Sequence, residues 1–370
     1  MRDNLERAQD LHWPEMTRPV FQIDDGWQMR WGEWKAGQDF PSGMPQLADD
    51  IDEAGFRPGL WMAPFYVDRK ARAYRDHPDW WVRDRSGTEL TYTNLGNGDY
   101  AVLDVTHPDA AIWLSKQVGE RVAEGWTYLK FDFLCAGAQE GLRYKPVTGV
   151  EAYRIGLDLL RDAAGESAWL VASGAPLLPT VGFADSFRSG GDIALESSPD
   201  PHRAFLRWQA RQTAARAWAN GIWWWNDADA ILVREPFTLE EATGAVVANA
   251  LSGGVWFLGD DLTELSSDRL HLALHSGLLP VRGSLTQPHD PLAYPSGIDA
   301  GPIGERISPD DQVPPVWELA DGYVGLLNLG DTPITVVAPP GFELVSGHQA
   351  QFPSERELAP GTGEVWRPEP

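Results

Sequence analysis

The sequence contains a single cysteine, Cys135. One thiol excludes an intramolecular disulfide framework and any zinc site built from several cysteines. The fold must therefore be held by its apolar core, and cysteine content does not identify a cellular compartment. We expect Cys135 to be a small buried packing residue.

Positive charge is also scarce, because 30 basic residues face 54 acidic ones for a formal charge of -24. Such a surface repels nucleic acid and anionic lipid, so a neutral small molecule is the simplest partner. No run of about 18 apolar residues occurs, and segment 1–7 lacks the apolar region of a signal peptide. We expect a soluble, unexported, cytoplasmic protein.

Short apolar runs alternate with amphipathic segments through most of the 370 residues. This alternation predicts a parallel sheet, and the number of units favours a (β/α)8 barrel over an open sheet. The predicted strands are Val20–Ile23, Gly59–Ala63, Tyr128–Phe133, Trp169–Ser173, Ser186–Arg188, Ile222–Trp225 and Val255–Leu258. The predicted helices are 3–12, 44–54, 109–124, 149–164, 203–219, 239–251 and 267–279.

Only seven strands are found in this way, and residues 3–12 already resemble the helix that follows a first strand. We therefore expect the first strand of the barrel to be missing from the chain. A barrel with an unpaired strand edge should bury that edge against something, and a homo-oligomer is one way to do so.

The pattern predicts two domains. The barrel is expected over residues 1–300, with a long aromatic excursion from Tyr66 to about Ala101 that is a candidate pocket wall. Near the carboxyl end, two apolar runs flank Asp321 and Gly322, which predicts a hairpin. We interpret residues 305–370 as a small antiparallel β domain.

Reactive residues of a parallel barrel lie just past the carboxyl ends of its strands. Acids follow five of the seven predicted strands, and no histidine stands among them. This pattern favours sugar chemistry, in which a pair of carboxylates acts, over metal-dependent hydrolysis, which commonly uses histidine ligands. The 18 tryptophans are compatible with sugar stacking, although they serve equally well as core residues.

Lys130 and Asp132 are two residues apart at the end of the third predicted strand, so they should share one face. A nearby cation favours a charged carboxylate, which suits a nucleophile or a metal ligand; a buried structural ion pair is the alternative. Asp192 follows two glycines on a turn, where partial desolvation suits a general acid. For Asp227 and Asp229, a structural role is equally open.

Four motifs resemble the melibiase-type α-galactosidases, glycoside hydrolase family 36, which share a clan with family 27. They occur in the family's order within roughly residues 15–260. The motifs are Phe21-Gln22-Ile23-Asp24-Asp25-Gly26-Trp27-Gln28, Gly59-Leu60-Trp61-Met62-Ala63-Pro64, Tyr128-Leu129-Lys130-Phe131-Asp132-Phe133-Leu134 and Phe187-Arg188-Ser189-Gly190-Gly191-Asp192-Ile193.

The resemblance implies a retaining exo-glycosidase that removes terminal α-D-galactosyl residues from melibiose-type and raffinose-type oligosaccharides. It implies Asp132 as the nucleophile, Asp192 as the acid/base, and neither a metal nor an organic cofactor. The implied substrate-binding residues are Asp24 and Asp25 at the C4 and C6 hydroxyls, Lys130 near the nucleophile, Arg188 at the C2 hydroxyl, and Trp61 in the aromatic wall. Ser173, at the end of the fourth strand, joins this set by its position.

Three alternatives remain at the level of sequence. One is a transglycosylase, because the acceptor subsite decides between water and a sugar acceptor. Another is a relative that acts on α-N-acetylgalactosamine. A barrel without its first strand is also compatible with a catalytically weak sugar-binding protein.

Overall fold

The computed structural model describes residues 1–11, 19–94, 98–193, 199–275, 286–288, 313, 316–319, 322–337, 342–345 and 355–368. These residues form two compact units, Met1–Asp185 and Ser186–Pro370. No helix within the described ranges has both the length and the apolar character required to span a membrane.

Within its described residues, the first unit contains nine strands and five α-helices. The strands are β1 (Val20–Ile23), β2 (Gln28–Arg30), β3 (Glu33–Ala36), β4 (Arg57–Met62), β5 (Tyr66–Asp68), β6 (Thr91–Asn94), β7 (Gly98–Val102), β8 (Tyr128–Phe131) and β9 (Trp169–Ala172). The helices are α1 (Arg2–Asp10), α2 (Gly43–Glu53), α3 (Arg72–Asp76), α4 (Pro108–Ala123) and α5 (Gly149–Ala164).

Four strands of the first unit pair in parallel, in the order β1, β4, β8, β9. Trp61 of β4 lies opposite Lys130 of β8, which in turn lies opposite Val171 of β9. All four residues of β8 are buried, as expected for a parallel strand with both faces covered. The register therefore sets the ends of these strands side by side.

Helix α5 begins with a reciprocal cap. The Thr148 side chain accepts from the Glu151 backbone N–H, and the Glu151 carboxylate accepts from the Thr148 backbone N–H at 2.8 Å. The cap satisfies amides that the first turn leaves without helical partners. It begins α5 at Gly149, the predicted position.

The predicted aromatic excursion forms a small antiparallel sheet of its own. Strand β7 lies between β5 and β6, with Tyr66 opposite Val102 and Tyr92 opposite Tyr100. Because alternate residues of a strand share one face, this register gathers tyrosines from all three strands.

The described part of the second unit contains ten strands and three α-helices. The strands are β10 (Ser186–Arg188), β11 (Trp225–Ile231), β12 (Val255–Leu258), β13 (Thr286–Pro288), β14 (Val316–Leu319), β15 (Val324–Asn328), β16 (Ile334–Val337), β17 (Phe342–Leu344), β18 (Glu355–Leu358) and β19 (Thr362–Pro368). The helices are α6 (Pro199–Ala215), α7 (Leu239–Leu251) and α8 (Ser267–His275).

Strands β10, β11 and β12 are parallel, whereas the later strands are antiparallel. The predicted hairpin is confirmed, because Val316 of β14 lies opposite Leu326 of β15. Helix α7 packs against β19, which places this part of the antiparallel sheet beside the α/β part of the same unit.

The predicted α/β pattern is confirmed, with seven parallel strands within the described residues, four in the first unit and three in the second. The predicted position of the sixth strand is wrong. Strand β11 begins at Trp225, and Ile222 lies outside it with 71% of its surface exposed. The predicted boundary at residues 300–305 and the end of the last predicted helix lie outside the described residues.

Candidate active site

Two acids follow β1 and are oriented by short-range hydrogen bonds. Asp24 Oδ2 accepts from Gln22 Nε2 at 2.8 Å, and Asp24 Oδ1 accepts from the Asp25 backbone N–H at 2.9 Å. Asp25 Oδ1 accepts from Gln28 Nε2 at 2.6 Å and from Trp31 Nε1 at 3.1 Å. Both acids are exposed, so their orientation is set while they remain accessible to hydroxyl groups.

Lys130 of β8 is joined to Asp24 across 106 residues of sequence. Its Nζ lies 2.8 Å from Asp24 Oδ2, and the Lys130 side chain is only 9% exposed. A buried ammonium requires a charged or strongly polar partner. Pairing of β1, β4 and β8 therefore brings the lysine of one strand to the acid that follows another.

Asp132 is the first residue after β8, and both of its carboxylate oxygens accept hydrogen bonds. Oδ2 accepts from Trp61 Nε1 at 3.1 Å, and Oδ1 accepts from the Phe133 backbone N–H at 2.6 Å. Phe133 has a φ of 52°, in the left-handed region that non-glycine residues seldom adopt. Strand β8 ends at Phe131, so Asp132 lies just past the regular alternation that predicts a shared face with Lys130.

Trp61 is almost completely buried, with 1% of its surface exposed. Its indole N–H contacts Asp132, and its backbone carbonyl accepts from Trp27 Nε1 at 2.9 Å. In this structure Trp61 therefore orients a carboxylate, and its role in a sugar-binding wall stays a prediction.

Aromatic rings pack around Trp61 and Phe133, the two residues that donate to this carboxylate. Trp31 stacks on Tyr100 with ring centroids 4.2 Å apart, and it lies 5.0 Å from the Phe133 ring. Tyr66 stacks on Tyr92 at 5.1 Å. Burial raises the pKa of Tyr66 to about 12, so its phenol stays neutral at ordinary pH. Tyr92, Tyr100 and Phe133 remain partly accessible, as a pocket wall requires.

Cys135 lies near the same carboxylate but is exposed, so the prediction of a buried packing residue is wrong. Surrounding protein atoms still desolvate the thiol, and together with the charge of Asp132 they raise the pKa of Cys135. A thiol held protonated is a weak nucleophile. We therefore assign Cys135 no chemical step.

Ser173 and Gly174 follow β9 and border Asp132. Ser173 is 3% exposed, and its carbonyl accepts from the Leu134 backbone N–H at 3.3 Å. Gly174 has a φ of +55°, and a Cβ there would lie 3.2 Å from Asp132 Oδ1. Absence of a side chain at Gly174 therefore leaves room beside the carboxylate.

The second unit holds a cluster of charged groups around Arg188, at the end of β10. Arg188 Nη1 donates to Asp192 Oδ1 at 2.6 Å, and Arg188 Nη2 lies 2.9 Å from Asp229 Oδ1. Arg188 Nε lies 3.7 Å from Asp227 Oδ1. The guanidinium is 6% exposed, so these three acids offset the cost of burying its charge.

The environment of Asp192 differs from the one that the sequence predicts. Its side chain is 86% exposed, so the predicted partial desolvation is wrong. Asp229 is the desolvated acid instead, with 14% of its side chain exposed. Burial raises the pKa of Asp229, Arg188 opposes this effect, and the charge of Asp227 adds to it.

Several contacts could not be found from sequence motifs. The links from Trp31 to Asp25 and from Trp61 to Asp132 depend on tertiary placement of indole N–H groups. Asp227 and Asp229 did carry a signal, because acids two residues apart in a strand share a face. Within the described ranges, no group of three or more His, Cys, Asp or Glu residues is arranged to hold a metal ion.

Comparison with known proteins finds a family that resembles part of this site. Residues 15–144, which include Asp24, Asp25, Trp61, Lys130 and Asp132, match the Melibiase family model. Over this segment the chain is similar to the melibiase-type α-galactosidases. Alpha-galactosidase AgaA of Geobacillus stearothermophilus is 29% identical over 121 residues, which are 30% of this chain and 16% of AgaA.

Solved structures extend the relation beyond the Melibiase segment. An α-galactosidase of Thermus thermophilus, solved with p-nitrophenyl α-D-galactopyranoside, is 32% identical with a TM-score of 0.65. That match covers 78% of this chain and 60% of the Thermus chain, so this chain spans less than two thirds of that relative's length.

The fold extends over almost the whole chain. Alpha-galactosidase I of Mortierella vinacea is 15% identical with a TM-score of 0.65, covering 98% of this chain and 90% of its own. At that identity the likeness shows the fold alone. The predicted (β/α)8-type barrel architecture, with antiparallel strands toward the carboxyl end, is confirmed.

Proposed function

We propose that this protein is a retaining exo-acting α-galactosidase that hydrolyses terminal α-D-galactosyl residues of melibiose-type and raffinose-type oligosaccharides. The observation that carries the proposal is the arrangement at Asp132. One N–H donor on each carboxylate oxygen orients the group, and the paired Lys130 and Asp24 supply polar atoms for sugar hydroxyls.

Double displacement assigns a separate task to each of two acids. Asp132 attacks the anomeric carbon and forms a galactosyl ester, while Asp192 protonates the departing glycosidic oxygen. Asp192 then takes a proton from water, which attacks the same carbon and releases galactose with retained configuration. Exposure of Asp192 supports this task, because the proton must reach both a leaving group and a water molecule.

The remaining site residues are proposed to bind the sugar. Asp24 and Asp25 present exposed carboxylates to hydroxyl groups, while Lys130 and Arg188 provide donors. Neutral galactosides fit a chain of charge -24 better than anionic substrates do. Neither a metal nor an organic cofactor has a step in this mechanism.

The first test measures hydrolysis of p-nitrophenyl α-galactoside by the parent and by Asp132→Ala. We expect kcat to fall by about a thousandfold or more, because the covalent path loses its nucleophile. Asp185→Ala is the matched control: Asp185 also accepts from a backbone N–H, that of Leu170, at 2.7 Å and pairs with Arg161 at 3.0 Å. A kcat for Asp132→Ala within tenfold of the parent, or an equal fall of kcat in both variants, would contradict the assignment of Asp132 as the nucleophile.

The second acid is tested through its chemistry. Asp192→Ala should retain more activity on activated aryl galactosides than on melibiose, and azide should restore turnover by forming α-galactosyl azide.

The stereochemistry of the reaction is tested on the parent enzyme, for which NMR should detect α-galactose as the first product. First release of β-galactose would contradict retention.

Product and binding measurements separate the alternative activities. Galactosyl transfer to excess sucrose at the expense of free galactose would favour a transglycosylase. Faster turnover of an aryl α-N-acetylgalactosaminide would favour that specificity, and galactose binding without turnover would favour a sugar-binding protein.

A further inference from the structure

The backbone of the turn that carries Asp192 is intrinsically permissive, so its conformation must be set by neighbouring groups. It runs from Arg188 to Ile193 and contains two consecutive glycines, Gly190 and Gly191. Asp192 itself is 86% exposed, so packing around its own side chain does not fix it. An acid that transfers a proton must nevertheless be held within hydrogen-bonding reach of the leaving oxygen.

Asp229 contacts both ends of this turn. Its Oδ1 lies 2.9 Å from Arg188 Nη2, where the turn begins, and its Oδ2 accepts from the Ile193 backbone N–H at 2.8 Å, where the turn ends. The two oxygens of one carboxylate have a fixed separation. Asp229 therefore links residues 188 and 193 through a rigid group.

Asp229 is itself firmly positioned within β11. Its φ is 64°, its backbone N–H donates to Asp227 Oδ1 at 2.8 Å, and its carbonyl accepts from Asn249 Nδ2 at 3.1 Å. The pairing register of β11 with β12 shifts between Asp227 and Ala230. Such local irregularities redirect side chains and concentrate near functional sites.

Arg188 completes the connection to the acid. The guanidinium that pairs with Asp229 through Nη2 also donates through Nη1 to Asp192 Oδ1 at 2.6 Å. Asp229 is thus connected to Asp192 in two indirect ways. One runs through the Arg188 side chain, and the other through the backbone N–H of Ile193, the residue after Asp192.

We infer that Asp229 is a positioning residue that clamps the 188–193 turn and so holds Asp192 for proton transfer to the leaving group. The inference rests on the proposed function, in which Asp192 is the acid/base. It predicts that loss of the Asp229 carboxylate impairs protonation of the leaving group more than attack at the anomeric carbon.

The test compares Asp229→Asn with the parent on aryl α-galactosides that differ in leaving-group acidity. We expect kcat/KM to fall by about tenfold to a hundredfold for poorly acidic phenols. For 2,4-dinitrophenyl α-galactoside, whose leaving group needs no proton, the value should stay within about threefold of the parent. The dependence of rate on leaving-group acidity should therefore steepen.

Asp260→Asn is the matched control in the same unit. Asp260 is also a buried acid, accepting from the Val233 backbone N–H at 2.5 Å and from Arg234 at 3.2 Å. Replacement of the Asp260 carboxylate should leave the dependence of kcat/KM on leaving-group acidity unchanged. Equal loss across the aryl series for Asp229→Asn, or the same steepening in Asp260→Asn, would overturn the positioning role.

Hydrogen exchange separates this inference from the proposed function. In Asp229→Asn the Ile193 amide should exchange at least about tenfold faster, because its acceptor has lost charge and position. Unchanged exchange would overturn the clamp even in an active enzyme. An inactive parent would overturn the proposed function and the role in proton transfer, whereas exchange at Ile193 would still decide whether Asp229 restrains the turn.

Discussion

Carboxylates of this protein differ mainly in their surroundings. Asp24 and Asp25 are exposed and oriented by neighbouring donors, whereas Asp229 and Asp260 are desolvated beside arginines. Exposed acids can meet a sugar hydroxyl, but a buried acid serves by holding other groups. This difference separates the proposed substrate-binding acids from the proposed positioning acid.

The environment of Asp260 predicts a pH-dependent stability. Burial raises its pKa above the ordinary value of 3.8, despite the opposing Val233 and Arg234 donors. Between the ordinary and the raised pKa, the folded state holds a proton that the unfolded chain releases, so the free energy of unfolding falls as pH rises. Asp260→Asn should lose this pH-dependent contribution to the free energy of unfolding, because asparagine does not titrate.

Urea unfolding at several pH values between about pH 4 and about pH 7 checks this expectation. The stability of Asp260→Asn relative to the parent should increase as pH rises through that window. A relative stability that decreases with rising pH would show that the charged form of Asp260 is the favoured one.

At the scale of elements, two helical glycines have opposite surroundings. Gly119 lies in α4, where an added Cβ would have Ala163 O as its nearest neighbour at 4.0 Å. Gly244 lies in α7, where a Cβ would overlap the Gly361 carbonyl beside β19. Helix propensity favours alanine at both positions, so packing decides the outcome.

We expect Gly119→Ala to raise the free energy of unfolding by about 0.5–1 kcal/mol. Gly244→Ala should lower it by about 1–3 kcal/mol, because the helix must move away from the strand. Chemical denaturation of both variants and the parent gives the comparison. Equal stabilisation in both would show that α7 does not pack closely on β19.

At the scale of the whole molecule, the charge of -24 favours solubility but adds self-repulsion to the folded state. Raising sodium chloride from about 0.02 M to about 0.2 M should therefore raise Tm, because the Debye length shortens from roughly 20 Å to below 10 Å. Sucrose at matched osmolality provides the control for solute exclusion. A Tm that is unchanged or lowered by salt would contradict net repulsion.

Much of the architecture follows from local patterns in the sequence. Apolar strands alternate with amphipathic helices, and chemistry-bearing residues such as Asp24, Lys130 and Asp132 stand where strands end. Side-chain periodicity and turn residues are properties of neighbouring residues, so they can be read without the fold. The sixth strand departs from its predicted position because Asp227 and Asp229 lie within β11, whereas reactive acids are expected just past the end of a strand.

The partners of the site residues were decided only by tertiary structure. Lys130 meets Asp24 across 106 residues, Trp61 meets Asp132 across 71, and Ile193 meets Asp229 across 36. Such pairs depend on the register between parallel strands and on backbone conformations such as the left-handed Phe133. Periodicity assigns a side chain to a face, but only packed neighbours determine which group it contacts.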